Sequence, residues 1–227
     1  MNTLKLIACS FILALSLACG GGGSAEQRDA KFSHEEETRR TFKLYPDHYQ
    51  SKDYQERYDM SGTDQFGKEV TATLIISNIG EQNQRDKSSF YIEQNLNLFF
   101  DNGASKHRRI INKSTENNII NNRIYPEEDK YKPNQSEELV LPNAAEVGNY
   151  GLLFKSFDSQ NQEETYWSIE NYNANQTKLV LRTEIKNEKQ QTTYYEEACF
   201  TITQQGIRQH CELLIRYPLE NIEIRLQ

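Results

Sequence analysis

The chain has 227 residues, a net charge of −7 and 36% hydrophobic residues, enough for one large or two small domains. The acidic balance argues against a nucleic-acid partner and against adhesion to an anionic lipid surface through bulk charge. Tyrosine is plentiful, 13 against 10 phenylalanines, which suits both β-strands and surface recognition.

The chain opens with a charged residue, Lys5, followed by an apolar run over residues 6–17 and the small residue Ala18. Such a segment reads as a secretory signal, and it is shorter than the ~20 apolar residues that span a bilayer. Its end, Leu15-Ser16-Leu17-Ala18-Cys19, resembles the lipobox of bacterial lipoproteins, with Ser16 where the preferred pattern has leucine. The resemblance covers about the first 20 residues. It implies that the Cys19 thiol receives a diacylglyceryl group and becomes the mature N-terminus. The membrane is then a partner through that lipid. Gly20 stands where an aspartate tends to retain lipoproteins in the inner membrane, so the resemblance implies the outer membrane. Each buried CH2 of the acyl chains stabilises attachment by about 0.8 kcal/mol.

Residues 20–23 are all glycine, and the chain stays polar through about residue 37. Such a stretch buries too little apolar area to offset its ordering entropy. The expected layout is therefore a signal peptide over 1–18, a flexible lipid-attached tether over 19–41 and a β-rich body over 42–227.

The body is expected to be all-β, an antiparallel meander forming a sandwich or a barrel. In chain order the candidate strands are 71–77, 89–100, 109–111, 119–125, 150–157, 165–170, 178–186, 192–203, 207–217 and 222–226. Several alternate at period two, as Leu179, Leu181 and Thr183 do against Val180 and Arg182. Helical spacing is confined to residues 35–45. Lys113-Ser114-Thr115-Glu116-Asn117-Asn118 reads as part of a long solvated loop. The motif Asp64-x-x-Gly67-x-x-x-Thr71-x-x-x-Ile75 returns as Asp158-x-x-Asn161-x-x-x-Thr165-x-x-x-Ile169, and Ile124-Tyr125-Pro126 as Arg216-Tyr217-Pro218. These matches suggest two duplicated halves, 58–126 and 150–218. Ser61-Gly62-Thr63-Asp64-Gln65-Phe66-Gly67 also resembles a turn-strand element of poorly characterised β-rich bacterial lipoproteins, to which no activity is attached.

Cys9 leaves with the signal and Cys19 takes the lipid, so Cys199 and Cys211 remain in an oxidising compartment where a pair is expected to bridge. Between them lies Gln204-Gln205-Gly206, a three-residue hairpin loop with glycine in its left-handed position. Centring the hairpin on Gln205 sets Cys199 opposite Cys211, at a Cα separation of about 4.5 Å, within disulfide range. A metal site of Cys199, His210 and Cys211 is disfavoured, because adjacent strand residues point to opposite faces.

No catalytic constellation stands out. His34, His48, His107 and His210 are scattered and belong to no nucleophile elbow, zinc-binding helix or phosphate loop. The acidic runs at 35–37 and 127–129 read as solvated faces. Asp64 and Asp158 lack the regular ligand spacing of a calcium loop. Lys106-His107-Arg108-Arg109 is a compact basic patch and reads as a solvated strand end. No cofactor and no metal is expected, and the chain is not expected to be an enzyme. The expectation is a lipid-anchored outer-membrane lipoprotein with a binding or structural role in the envelope. The alternative is a surface-displayed protein that captures a small ligand or a host protein, with Trp167 and the tyrosines as contacts. A hydrolase with residues dispersed over loops ranks third.

Overall fold

The computed structural model describes residues 40–84, 87–115, 119–126, 134–135, 139–157, 160–173 and 175–227. The signal segment, Cys19, the glycine run and the tether up to residue 39 lie outside these residues. So do the acidic run at 127–129 and Asp158.

The body is all-β. In chain order the strands are β1 (Thr41–Lys43), β2 (Gln55–Asp64), β3 (Glu69–Gln84), β4 (Lys87–Phe100), β5 (Ser105–Thr115) and β6 (Ile119–Ile124). Short pieces follow: β7 (Asn134–Gln135), β8 (Leu139–Val140) and β9 (Ala144–Glu146). The chain ends with β10 (Tyr150–Phe157), β11 (Asn161–Asn171), β12 (Gln176–Asn187), β13 (Thr192–Thr203), β14 (Arg208–Tyr217) and β15 (Ile222–Leu226). A single 3-10 turn, Pro218–Glu220, is the one helical element among the described residues.

β1 pairs with β9, and the other thirteen strands form one sheet in the order β7-β10-β11-β12-β13-β14-β15-β2-β3-β4-β5-β6-β8. Each pairing is antiparallel. The first meander, β2 to β6, and the second, β10 to β14, therefore have the same simple up-and-down strand order. They cover the two segments that match each other in sequence. β15 joins them by pairing with β2, Ile224 facing Asp64 and Leu226 facing Gly62. β8 also lies against β10, so the sheet curls until its two ends meet. Strand twist favours such curling, and curling removes exposed edges.

Alternation decides what faces inward. Val70, Ala72, Leu74 and Ile76 of β3 are buried, as are Phe200 and Ile202 of β13 and Leu213 and Ile215 of β14. The residues between them point out. Two glycines are required by close approaches. A Cβ on Gly62 would lie 1.8 Å from the Arg225 carbonyl oxygen, so only glycine permits the β2–β15 seam. A Cβ on Gly151 would meet the Trp167 indole at 2.8 Å. Trp167 is thus packed onto the β10 backbone and buried, not a surface contact as the sequence suggested.

The start of the body closes one end of the barrel. Phe42 and Leu44 are fully buried. The Lys43 amide donates to the Gln204 carbonyl, and the Leu44 amide donates to the Asn143 carbonyl. From there the segment crosses to β3, where the Asn78 amide donates to the Tyr54 carbonyl. Tyr45, Tyr49 and Tyr54 stack in series, with ring centroids 4.6 and 4.8 Å apart. Such pairs add about 0.5–1.5 kcal/mol each beyond their burial. Gly206, with φ of +78°, sits where a Cβ would come within 2.4 Å of the Tyr45 carbonyl oxygen.

Three expectations change. Residues 35–39 lie outside the described part, but 41–43 are strand, not helix. The loop expected from residue 113 begins later, since β5 runs to Thr115 with Asn112 and Ser114 buried. β2, whose Glu, Arg, Asp and Ser residues mask its alternation of Tyr58 and Met60, is a strand that periodicity missed.

Candidate functional site

The barrel interior is apolar on the side of β14, β15, β2 and β3, and polar where β5 and β6 face β11 to β13. The polar side is organised around arginines. Arg123 of β6 pairs with Glu163 of β11. Its Nε donates to Asn112 Oδ1 at 2.9 Å and its Nη1 to Thr165 Oγ1 at 3.0 Å. The Tyr125 hydroxyl donates to the same Glu163 carboxylate at 2.6 Å, and Thr165 and Thr183 share a hydrogen bond of 3.0 Å. The guanidinium also lies over the Phe154 ring, 4.3 Å from its centroid. Arg123 and Glu163 side chains are 5% and 0% exposed, a burial tolerated because the two charges pair and Asn112, Thr165 and Tyr125 add hydrogen bonds. Burial works against the Arg123 charge, but Glu163 and Tyr125 outweigh it and raise its pKa.

Arg208 occupies the plugged end. It pairs with Glu56 at 3.3 Å and stacks over the Phe200 ring at 4.8 Å. Arg108 lies toward the opposite end, paired with Glu196 and donating to the Tyr194 hydroxyl. Tyr194 in turn donates to Glu196 at 2.5 Å. Burial opposes the Arg108 charge, while Glu196 and the surrounding tyrosines raise its pKa above the ordinary value. Guanidinium keeps its charge through such burial better than ammonium does.

A chamber of about 60 Å³ lies among these three arginines, room for a few water molecules. Beyond Arg108 the interior widens into a mouth cavity of about 420 Å³ at the end opposite the plug. Its walls are Leu96, Leu98, Ile185 and Ile215, with Tyr125, Tyr194 and Tyr217 around them. Lys106 and Arg108 supply positive charge, and the Lys106 Nζ lies 4.2 Å from the Tyr217 ring centroid. Leu96, Arg108 and Thr183 line both spaces. A concave, mostly apolar cavity of this size with a few polar groups is the usual form of a small-molecule site.

The basic patch read as a solvated strand end therefore divides by alternation. Lys106 and Arg108 line the mouth. Arg109 pairs with Glu93, and the His107 Nε2 bonds with Asn95 Oδ1 at 2.8 Å on the outer face. Sequence reasoning missed Glu163, Glu196, Arg123 and the inward role of Arg108. The available signal was charged residues at the inward positions of otherwise alternating strands.

The expected disulfide needs correction. The Gln204-Gln205-Gly206 turn forms as read, with the Gly206 amide donating to the Thr203 carbonyl and Ile202 opposite Arg208. Next to it Gln209 is an extra, unpaired residue, so Thr201 faces His210 and the register moves by one. A one-residue slip exchanges faces. Cys199 consequently lies opposite Glu212 and Cys211 opposite Phe200. Both thiols are free and buried, Cys211 inside the barrel and Cys199 on the outer face. Burial pushes the Cys199 pKa up to about 11, and that of Cys211 higher still.

The other candidates are also placed. His210 is half-exposed and 4.0 Å from Glu212, while Cys211 points inward. Asp64 Oδ1 accepts from the Phe66 and Lys68 amides at 2.8 and 2.9 Å. Its carboxylate thus shapes the turn before β3, which explains the Asp64-x-x-Gly67 spacing. Among the described residues no group of three or more His, Cys, Asp or Glu converges in a metal-binding arrangement. No family model, curated protein or solved structure matches the chain.

Proposed function

We propose that the chain is a lipid-anchored envelope protein, held at the outer membrane through Cys19, that captures a small molecule in its barrel and performs no chemistry on it. The observation that carries this reading is the mouth cavity of about 420 Å³ at one end of a barrel plugged at the other. Smaller closed barrels such as the eight-stranded lipocalins hold a single small ligand in a cavity of this kind. The interior ionisable groups favour binding over catalysis. Glu163 and Glu196 are each engaged by an arginine and a tyrosine, which fixes them as structure.

The anchor rests on the lipobox residues Leu15-Ser16-Leu17-Ala18-Cys19 and on the glycine run behind them. The described body begins beside β9, with Thr41 opposite Glu146 and the Lys43 amide on the Gln204 carbonyl, at the end opposite the mouth.

Cell fractionation tests the anchor. Cys19→Ser is expected to move the protein from membranes to the soluble fraction, and a variant that stays bound through a high-salt wash would overturn the lipid attachment. Native mass spectrometry of that released variant tests capture. A discrete small-molecule adduct, lost on substitution of Leu98 by tryptophan in the mouth, is the expected result. A spectrum identical for both variants speaks against capture.

A further inference from the structure

The mouth cavity has a chemical polarity that narrows what it can hold. Its walls are mostly aliphatic side chains and tyrosine rings, and its charges are the cations Lys106 and Arg108, of which Arg108 is already engaged by Glu196 of the adjoining chamber. Lys106 stands out because its ammonium lies over the Tyr217 ring, where ring faces stabilise a cation while leaving its hydrogen-bond donors directed elsewhere. Arg108 adds a second positive charge, shared with Glu196. Its Nε–H is buried without a hydrogen-bond partner, a state that costs about 1–3 kcal/mol. Almost a quarter of its side chain, 23%, remains exposed. A protein with a net charge of −7 repels anions in bulk, so an excess of positive charge here is a local property of the cavity.

We propose that the mouth cavity binds an amphipathic monoanion, its apolar body against Leu96, Leu98, Ile185 and Ile215 and its acidic group at Lys106 and Arg108. This rests on the capture reading above and specifies the ligand for the same site. At interior packing density about 420 Å³ holds a molecule of about 15–20 non-hydrogen atoms. The size suits a medium-chain carboxylate or an aromatic acid with a short tail. A neutral molecule of that shape would gain the same apolar burial but leave the Lys106 ammonium without a counter-charge, since Arg108 already has Glu196. A cationic one would meet Lys106 directly.

Titration calorimetry distinguishes these cases. The full chain carrying Cys19→Ser, which has no acyl chains of its own, is titrated with dodecanoate, dodecanol and dodecyltrimethylammonium below their micellar concentrations. Dodecanoate is expected to bind one-to-one and about tenfold or more tighter than dodecanol, as a charge-assisted hydrogen bond warrants. Lys106→Gln is expected to remove most of that preference, weakening dodecanoate about tenfold and dodecanol by far less. Lys106 is exposed, so the variant keeps the fold. Leu98→Trp is expected to weaken both ligands. Equal affinity for dodecanoate and dodecanol, or indifference to Lys106→Gln, overturns the anionic ligand while leaving a binding cavity in place. Tightest binding by the ammonium compound does the same. If none of the three binds and Leu98→Trp changes nothing, the capture reading fails together with this one.

Discussion

Arg123 and Glu163 form an ion pair between β6 and β11, strands that lie near opposite ends of the hydrogen-bonded sheet order. The backbone ladder that holds every other neighbour together is interrupted in this region, where the two-residue strands β7 and β8 lie between β6 and β10. The pair and its partners Tyr125, Asn112 and Thr165 supply side-chain hydrogen bonds across that gap. The polar seam is thus the closure of the barrel. A polar lining there also sets the aliphatic mouth apart from the inner chamber.

Removing one member of that pair should be far worse than removing both. Glu163→Ala leaves a buried guanidinium uncompensated, and a loss of about 3–5 kcal/mol is expected. The double variant Arg123→Met/Glu163→Leu replaces the charges by apolar volume and should lie within about 2 kcal/mol of the parent. Urea denaturation of the two variants measures the difference. Equal destabilisation of both would show that the seam is held by something other than the charge pair.

The β2–β15 seam should be sensitive at one atom. Gly62→Ala places a methyl group into the Arg225 carbonyl, so the two meanders must separate locally, at an expected cost of about 3 kcal/mol. Ser61→Ala, beside it and exposed, is expected to change stability by less than about 0.5 kcal/mol. Thermal unfolding of both variants checks the contrast.

Cys199 and Cys211 should behave as free thiols. Alkylation under denaturing conditions without reductant, mapped by mass spectrometry, is expected to label both. In the native state at pH 8 both should react slowly, Cys211 the more slowly, because burial raises both pKa values and the thiolate is the reactive form. A peptide cross-linked through the two sulfurs would contradict the register of β13 and β14.

Alkali should destabilise the fold through its buried and partly buried tyrosines. Burial raises the pKa of Tyr49 to about 12, and those of Tyr45 and Tyr194 are raised well above 10. In the unfolded chain these phenols ionise near pH 10. Their stabilising contribution is therefore complete below pH 10 and declines as pH rises through the folded values. Absorbance near 295 nm at pH 11 should show fewer phenolates in the native protein than in urea, with stability falling from pH 10 upward. Full ionisation of the native protein at pH 11 would place these rings in water.

Much of the strand pattern was legible because alternation is local. The bounds expected at 150–157, 192–203 and 222–226 are those of β10, β13 and β15. The hairpin turn at Gln204-Gln205-Gly206 was legible too, since its left-handed glycine is a requirement of the turn itself. The bulge at Gln209 was not. Nothing in Arg208-Gln209-His210 distinguishes a residue that pairs from one that is left out. That choice follows from how β14 must bend to keep Leu213 and Ile215 inside.

The candidate site was less legible. Lys106, Arg108, Arg123 and Glu163 are ordinary charged residues in sequence, and Glu163 lies 40 positions from its partner Arg123. A buried charge is recognisable only once the opposite charge that tolerates it is beside it. The sequence by itself determined the all-β class, the strand alternation and the glycine-dependent turns. Tertiary structure alone decided which strands meet at the seam, which residue each cysteine faces and which charges line the cavity. Those depend on curvature and register accumulated over the whole sheet, and no local window of residues contains them.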